Sequence, residues 1–245
     1  MTAFIVVIPA RMGSERLPGK PLCELGGHTM IERVQERAWA SGAVRVVVAT
    51  DDDRVAAVAR DAGGEGIVTG GDHSTGTDRI AEVCQTLELA DDAIVVNLQG
   101  DEPLMPPALL TAAADGLNHH PDAAIATLAT PMARGLIDDP TAVKVVLDHR
   151  GYALYFSRAP IPWPREEPGE SVWYRHLGLY AYRAGFLHRF PGLGVPDIER
   201  LERLEQLRAL WHGYPIHVTT VAEAPEPGVD TPADLERVAA HYGGG

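Results

Sequence analysis

Apolar positions along this chain follow two periods, and the way they alternate points to a fold. Residues 5–8, 44–50 and 93–98 are short, nearly continuous apolar runs of the kind buried on both faces of a sheet. Between them the period lengthens to that of a helix. The stretch after residue 50 opens on Asp51-Asp52-Asp53, good caps at the positive end of a helix dipole, and stops at Gly63-Gly64. A further helix carries Ile80, Val83, Cys84 and Leu87 on one face, and its start, Ser74-Thr75-Gly76-Thr77, leaves backbone donors free. Strands alternating with helices are the pattern of βα units around a parallel sheet, so the first half reads as doubly wound α/β.

After Pro140 the texture changes. Residues 143–147 and 152–156 flank Asp148-His149-Arg150-Gly151, which predicts a hairpin in place of a crossover helix, and so a β-rich excursion. Residues 159–164 then form a proline-rich loop of extended character that runs on to residue 171, a candidate lid or subunit contact, and strand texture resumes over 177–182. Residues 197–211 predict one helix, with Ile198, Leu201, Leu204 and Leu207 on successive turns and Glu205 at the margin of the stripe. Near the C-terminus Thr231 suits an N-cap, Pro232 the first helical position and Asp234 the third, which leaves Asp230 just ahead of a helix. No internal repeat is present.

At 245 residues the chain is long enough for one large α/β domain, or a main domain with a smaller excursion, burying roughly 70 to 75% of its unfolded surface. With 45% apolar and 22% charged residues the composition is that of a folded globular protein. A formal net charge of -13 argues against a nucleic-acid partner, which needs a basic face. Cys23 and Cys84 stand at neither disulfide-motif nor zinc-ligand spacing, which suits a reducing cytosol. The first apolar run is cut by Pro9 and Arg11, so the expectation is a cytoplasmic protein, neither exported nor membrane-spanning.

Against that acidic background, three cations crowd one loop. Residues 5–8 run into Pro9-Ala10-Arg11-Met12-Gly13-Ser14-Glu15-Arg16-Leu17-Pro18-Gly19-Lys20-Pro21-Leu22. The loop is not a Walker A motif, since five residues separate Gly13 from Gly19 and Pro21 follows Lys20, and it lacks Gly-x-Gly-x-x-Gly. Two arginines able to fork onto phosphate oxygens and a lysine acting as a point charge suit a polyphosphate; a solvated basic turn is the bland alternative. Ligands of open α/β sheets lie beyond the carboxyl ends of the strands, where the loop after residue 98 delivers Gly100-Asp101-Glu102-Pro103. Asp101 there suits Mg²⁺ shared with phosphate oxygens. Taken alone, His176 reads as a core strand histidine, Glu205 as a solvated helix charge and His119-His120 as a surface helix end without a role.

The ordered set of motifs resembles the 3-deoxy-manno-octulosonate (Kdo) cytidylyltransferases, or CMP-Kdo synthetases, over nearly the whole chain. It comprises Ile8-Pro9-Ala10-Arg11, Arg16 to Leu22, Asp72-His73-x-x-Gly76-Thr77-Asp78-Arg79, Gln99-Gly100-Asp101-Glu102-Pro103 and Val143-Lys144-Val145-Val146. It continues through Ala153 to Arg158, Arg175-His176-Leu177-Gly178, Leu204-Glu205-Gln206-Leu207-Arg208 and Gly228-Val229-Asp230-Thr231-Pro232.

The resemblance implies a Rossmann-like nucleotide-diphospho-sugar transferase fold in a single domain over 1–245. Its sheet would be mixed and mostly parallel, with a β-rich excursion over about 143–183 for sugar binding and dimer contact. It implies transfer of CMP from CTP to Kdo, releasing pyrophosphate, for lipopolysaccharide biosynthesis, by a cytoplasmic homodimer. Arg11, Ser14, Arg16 and Lys20 would receive the triphosphate. Ser74, Gly76, Asp78 and Arg79, with Ala10 and Gln99, would surround cytosine and ribose, and Mg²⁺ would sit at Asp101 and Asp230. Arg158, His176, Tyr180, Glu205 and Gln206, again with Gln99, would take the sugar acid. Arg11, Arg16, Lys20, Asp101 and Asp230 would form the catalytic set, without a covalent enzyme intermediate. The alternatives are a cytidylyltransferase for 8-amino-Kdo or another sugar acid, and a non-catalytic CTP-binding module; retention of Asp101, Asp230 and Lys20 together argues against the latter.

Overall fold

A computed structural model describes residues 2–13, 16–71, 73, 75–166 and 173–243. In chain order the strands are β1 (Ile5–Ala10), β2 (Glu24–Leu25), β3 (His28–Thr29), β4 (Arg45–Thr50), β5 (Glu65–Val68), β6 (Ile94–Asn97), β7 (Ile125–Met132), β8 (Lys144–Leu147), β9 (Ala153–Ser157), β10 (Trp173–Arg183) and β11 (Ile216–Thr220). The helices are α1 (Met30–Ala40), α2 (Asp53–Asp61), α3 (Gly76–Thr86), α4 (Pro107–His119), α5 (Ala184–Arg189), α6 (Asp197–Glu202), α7 (Gln206–Trp211) and α8 (Pro232–Tyr242).

Nine strands form one sheet with the order β11-β7-β10-β6-β1-β4-β5, while the β8–β9 hairpin attaches to β10. Pairing is parallel for β1 with β4 and β6, for β4 with β5 and for β11 with β7; β10 runs antiparallel to β6, β7 and β8. This is the expected mixed sheet, with the long strand β10 reversing its direction at the centre. The uninterrupted apolar runs follow from covering both faces. Val6, Ile8, Val46, Val48 and Val96 pack with Ile31, Val55 and Leu110, whereas Val7, Val47 and Val95 pack with Ile80, Val83, Cys84 and Leu207. The Cys84 thiol is buried there, its pKa pushed up to about 12 by desolvation. At Gly66 a Cβ would lie 2.1 Å from the carbonyl oxygen of Ala56, so α2 can lie on β5 only because glycine stands there.

The hairpin falls where the sequence placed it, with Lys144 opposite Ser157 and Val145 opposite Phe156. Strand β1 outruns its apolar core, since Pro9 and Ala10 stay in register with Ala49 and Thr50. Residues 167–171 of the proline-rich loop lie outside the described ones; Trp173 Nε1 donates to the Pro162 carbonyl at 3.1 Å. The single helix expected over 197–211 is two. Helix α6 ends at Arg203, whose backbone is left-handed (φ 54°, ψ 46°), a conformation that costs a non-glycine residue on the order of 1 kcal/mol. Leu201 is consequently 82% exposed instead of core-facing, while Leu204 is buried and Glu205 turns inward. A helical stripe continued through the break would have buried Leu201; packing of Leu204 and Leu207 against the sheet overrides that preference.

Candidate functional site

Two loops far apart in sequence meet at one ammonium group. Lys20 opens a 3-10 turn after Gly19, whose φ of 71° is free of strain for glycine. Its Nζ donates to Asp101 Oδ2 at 2.7 Å, to the Val229 carbonyl at 2.9 Å and to Asp230 Oδ1 at 3.3 Å. Arg16 Nη2 lies 3.2 Å from Asp230 Oδ2. The two carboxylates, 129 positions apart, are thus separated by no more than the span of two hydrogen bonds. The backbone enforces this. Val229 N donates to the Asp101 carbonyl at 2.8 Å, and a Cβ at Gly228 would lie 2.8 Å from the same oxygen, so only glycine lets the strands of chain touch. Behind the contact, Leu17, Leu25, Met30, Val229 and Val238 form a small apolar cluster that docks α8 on the basic loop. Next to Asp101, burial and the Asp101 charge push the carboxyl of Glu102 up to about 8.

A cavity of about 450 Å³ opens over this centre, beyond the carboxyl ends of β1 and β6. Ala10, Arg11, Arg16, Lys20, Gly76, Arg79, Gln99, Asp101 and Asp230 all line it, which brings most of the expected nucleotide set together. Gly100 joins the two loops tightly, since a Cβ there would meet the Pro9 carbonyl at 2.9 Å. Arg79 is almost wholly buried. One arm of its guanidinium donates to Thr69 Oγ1, while Nη2 stands 3.8 Å from Asp51 and makes no hydrogen bond among the described residues. Desolvation lowers its pKa, with the Arg11 charge adding to the effect and Asp51 opposing it. A buried guanidinium with an unmet donor is poised for an acceptor on a ligand. Asp78 departs from expectation. Its carboxylate accepts from Thr75 Oγ1 at 3.0 Å and Thr75 Oγ1 accepts from Asp78 N at 3.1 Å, so it serves as a helix-start clasp and does not line the cavity. Ser14 and Ser74 lie outside the described residues. Thr75 also lines the cavity, a place not foreseen from the sequence; its cap position ahead of α3 is the available signal.

Of the expected sugar residues only Gln99 lines that cavity; Arg158, His176, Tyr180, Glu205 and Gln206 do not. His176, on β10, is buried with Nε2 3.0 Å from Thr127 Oγ1 and its ring 4.8 Å from that of Phe156; desolvation drives its pKa down to about 3. Tyr180 lies 5.4 Å from the His176 ring and borders a cleft of about 20 Å³ with Glu205 and Gln206. Glu205 accepts from Thr77 Oγ1, and burial raises its pKa, so it is a desolvated carboxyl and not a solvated helix charge. Its Oε2 and the Gln206 Nε2 are buried without a partner among the described residues. Arg158 is turned elsewhere: Nε donates to the Glu202 carbonyl at 2.7 Å and Nη1 to the Pro140 carbonyl at 3.0 Å. Thr77 and Thr127 escaped the sequence reading because their partners are 128 and 49 residues away. His120 also has a structural place: its ring stacks on His217 with centroids 3.5 Å apart.

The oxygen donors of Asp101 and Asp230, already converging on a cation, fit a hard dication that completes its shell with phosphate oxygens and water. No cluster of three or more acidic, histidine or cysteine side chains stands at metal-binding geometry among the described residues. The site therefore offers two carboxylates and relies on a ligand for the rest.

The profile of the Cytidylyltransferase family matches residues 5–218. A 3-deoxy-manno-octulosonate cytidylyltransferase of Halorhodospira halophila is 60% identical over 246 residues, covering 97% of this chain and 96% of that one. One of Nitrosococcus oceani is 52% identical, covering 96% and 95%. Among solved structures, a CMP:2-keto-3-deoxy-manno-octonic acid synthetase complexed with CTP superposes with a TM-score of 0.91 at 44% identity over 99% of each chain. A cytidylyltransferase from Leptospira borgpetersenii, at 18% identity and a TM-score of 0.62 over 98% of this chain and 86% of that one, shares the fold.

Proposed function

Since the chain belongs to the cytidylyltransferase family, among its 3-deoxy-manno-octulosonate cytidylyltransferases, we propose that it transfers CMP from CTP to Kdo, forming CMP-Kdo and pyrophosphate for lipopolysaccharide biosynthesis. The observation that carries the site assignment is the meeting of Asp101 and Asp230 at Lys20 in a basic cavity. Arg11, Arg16 and Lys20 receive the triphosphate, with Ser14 added from the family motif. Arg79, Gly76, Gln99 and Ala10 hold the nucleoside, with Ser74 and Asp78 at the helix start. Arg158, His176, Tyr180, Glu205 and Gln206 form the acceptor side.

Asp101 and Asp230 would hold Mg²⁺, which when bound neutralises triphosphate charge and polarises the α-phosphate. The anomeric 2-hydroxyl of Kdo attacks the α-phosphorus and gives up its proton to solvent as the new P–O bond forms, while the bond from the α-phosphorus to the oxygen bridging to the β-phosphate breaks and pyrophosphate leaves. Lys20 and Arg16 stabilise the charge that builds on departing pyrophosphate, because both are already held at the mouth of the cavity. His176, kept neutral by burial, acts as a hydrogen-bonding group. Gly228 and the Val229–Asp101 bond hold the two carboxylates in place, which is positioning in the sense that a misplacement of about 1 Å costs about a hundredfold in rate.

The excursion over about 143–183 carries Arg158, His176 and Tyr180 and would also supply a homodimer contact. Leu154 and Trp163, 61% and 76% exposed, support that reading. A cytoplasmic site of action is supported by two unpaired cysteines; no helix among the described residues is long and apolar enough to cross a membrane. Pyrophosphate release from CTP and Mg²⁺ with and without Kdo tests the proposal. Release that depends on Kdo, with CMP-Kdo detected by mass, is the expected result; CTP binding without release on adding Kdo would overturn it.

A further inference from the structure

Beside the nucleotide cavity lies a second hollow of about 500 Å³ between the start of α3 and the break that separates α6 from α7. The two hollows share Thr75 as a border, and Glu205 lines the second. Three charged residues from α6 and its end also line it, and two of them are spoken for. Glu199 pairs with Arg208 at 2.6 Å, and Arg200 Nη1 donates to Asp197 at 2.6 Å. Arg203 makes no side-chain hydrogen bond or ion pair among the described residues, so it is the uncompensated charge of this hollow.

Its backbone is also the least comfortable in the neighbourhood. Arg203 closes α6 in the left-handed conformation, where glycine is at ease and a residue with a Cβ is strained. Strain held at such a position points to use of the side chain. An acceptor sugar must bind next to the nucleotide, because the new bond joins the two. A sugar acid brings one fixed negative charge into a protein of net charge -13, so it needs a cation of its own. On the reading above, the cations of the first cavity are taken by the triphosphate. Arg158 has two of its three guanidinium nitrogens committed to the carbonyls of Glu202 and Pro140.

We infer that Arg203 is a specificity-determining residue of the acceptor side, its guanidinium receiving the carboxylate of the sugar acid in the hollow between Thr75 and Glu205. The inference rests on the transferase reading above. A forked guanidinium matches a carboxylate in two parallel hydrogen bonds, which a neutral sugar of the same size would not satisfy.

The test is the Arg203→Gly enzyme, assayed for pyrophosphate release while CTP and Kdo are varied separately, with thermal melting alongside. Glycine relieves the backbone, so the melting temperature should hold or rise. KM for Kdo should rise roughly ten- to a hundredfold, the size of one lost charge-assisted hydrogen bond, with KM for CTP unchanged. Arg203→Lys should recover part of the loss. An unchanged KM for Kdo in the glycine variant overturns the inference, as does an equal rise for both substrates or an altered oligomeric state at unaltered KM. Wild-type enzyme that releases no pyrophosphate with Kdo would instead overturn the transferase reading, and this inference with it.

Discussion

The nucleotide half and the acceptor half of the cleft are built on different principles. The nucleotide half is a set of cations and carboxylates at loop tips, fixed by backbone contacts at Gly100 and Gly228 and open to a cavity of about 450 Å³. The acceptor half is desolvated: the rings of His176 and Tyr180 meet at a tilt in the core, and Glu205 and Gln206 keep atoms unpartnered among the described residues beside a cleft too small for more than about one water. The first gains its strength from converging charge, the second from excluding water around His176 and Tyr180, together with the one charge of Arg203 in the neighbouring hollow. Function at the first therefore depends on where a few charges sit, and at the second on burial.

The sharpest way to break this contrast is to remove charge from the nucleotide half. Lys20→Ala should lower kcat by about 10²- to 10³-fold with the melting temperature little changed, read by steady-state pyrophosphate release and thermal denaturation. Near-normal kcat would take Lys20 out of the reaction. Next come the glycines, which separate placement from packing. Gly228→Ala pushes a Cβ against the Asp101 carbonyl and should lower kcat/KM by up to about a hundredfold. Gly66→Ala, far from the cavity, drives a Cβ into the Ala56 carbonyl and should cost about 1 to 3 kcal/mol of stability with KM unchanged. Urea denaturation and kinetics on both variants distinguish the two effects.

Smaller, and opposite in sign, are the effects of pH on the metal-free protein. The folded pKa of His176 is lowered to about 3, so the unfolded chain binds more protons below 6.5, and stability falls as pH drops from 6.5 towards 3. His217, lowered to about 4, acts in the same sense. Glu102 is raised from 4.5 to about 8, so here the folded state binds more protons and stability falls as pH rises from 4.5 to 8. Each group changes stability by about 1 kcal/mol per pH unit within its window. Glu102→Gln should flatten the decline between pH 6.5 and 8, and His176→Asn should reduce the acid decline, both measured from urea midpoints. A swap of the two slopes would contradict the assignment of burial to these groups.

Legibility in the sequence followed the same division. The strand ending in Pro9-Ala10-Arg11, the run Gln99-Gly100-Asp101 and the capped start of α8 are each contiguous, and β1 beside β6 puts the first two side by side. Asp230 needed the family motifs, because its neighbours read as a plain helix start and its approach to Lys20 is set by the distant cluster around Leu17 and Val229. The acceptor half was recognised as residues but not as geometry. Arg158 turns to backbone carbonyls, and the helix over 197–211 breaks because the burial of Leu204 outweighs a periodicity that runs on unbroken through Leu201. His119-His120 read as a surface end, whereas the stack of His120 on His217 depends on a strand almost a hundred residues later.

Asp101 and Asp230 are expected to act as one unit, and a double-mutant cycle on kcat tests this directly. Asp101→Ala, Asp230→Ala and the double variant are compared under saturating CTP, Kdo and Mg²⁺. If both carboxylates serve one shared cation, the double variant should be hardly slower than the worse single one. Losses that multiply would show that the two act independently and would contradict the account.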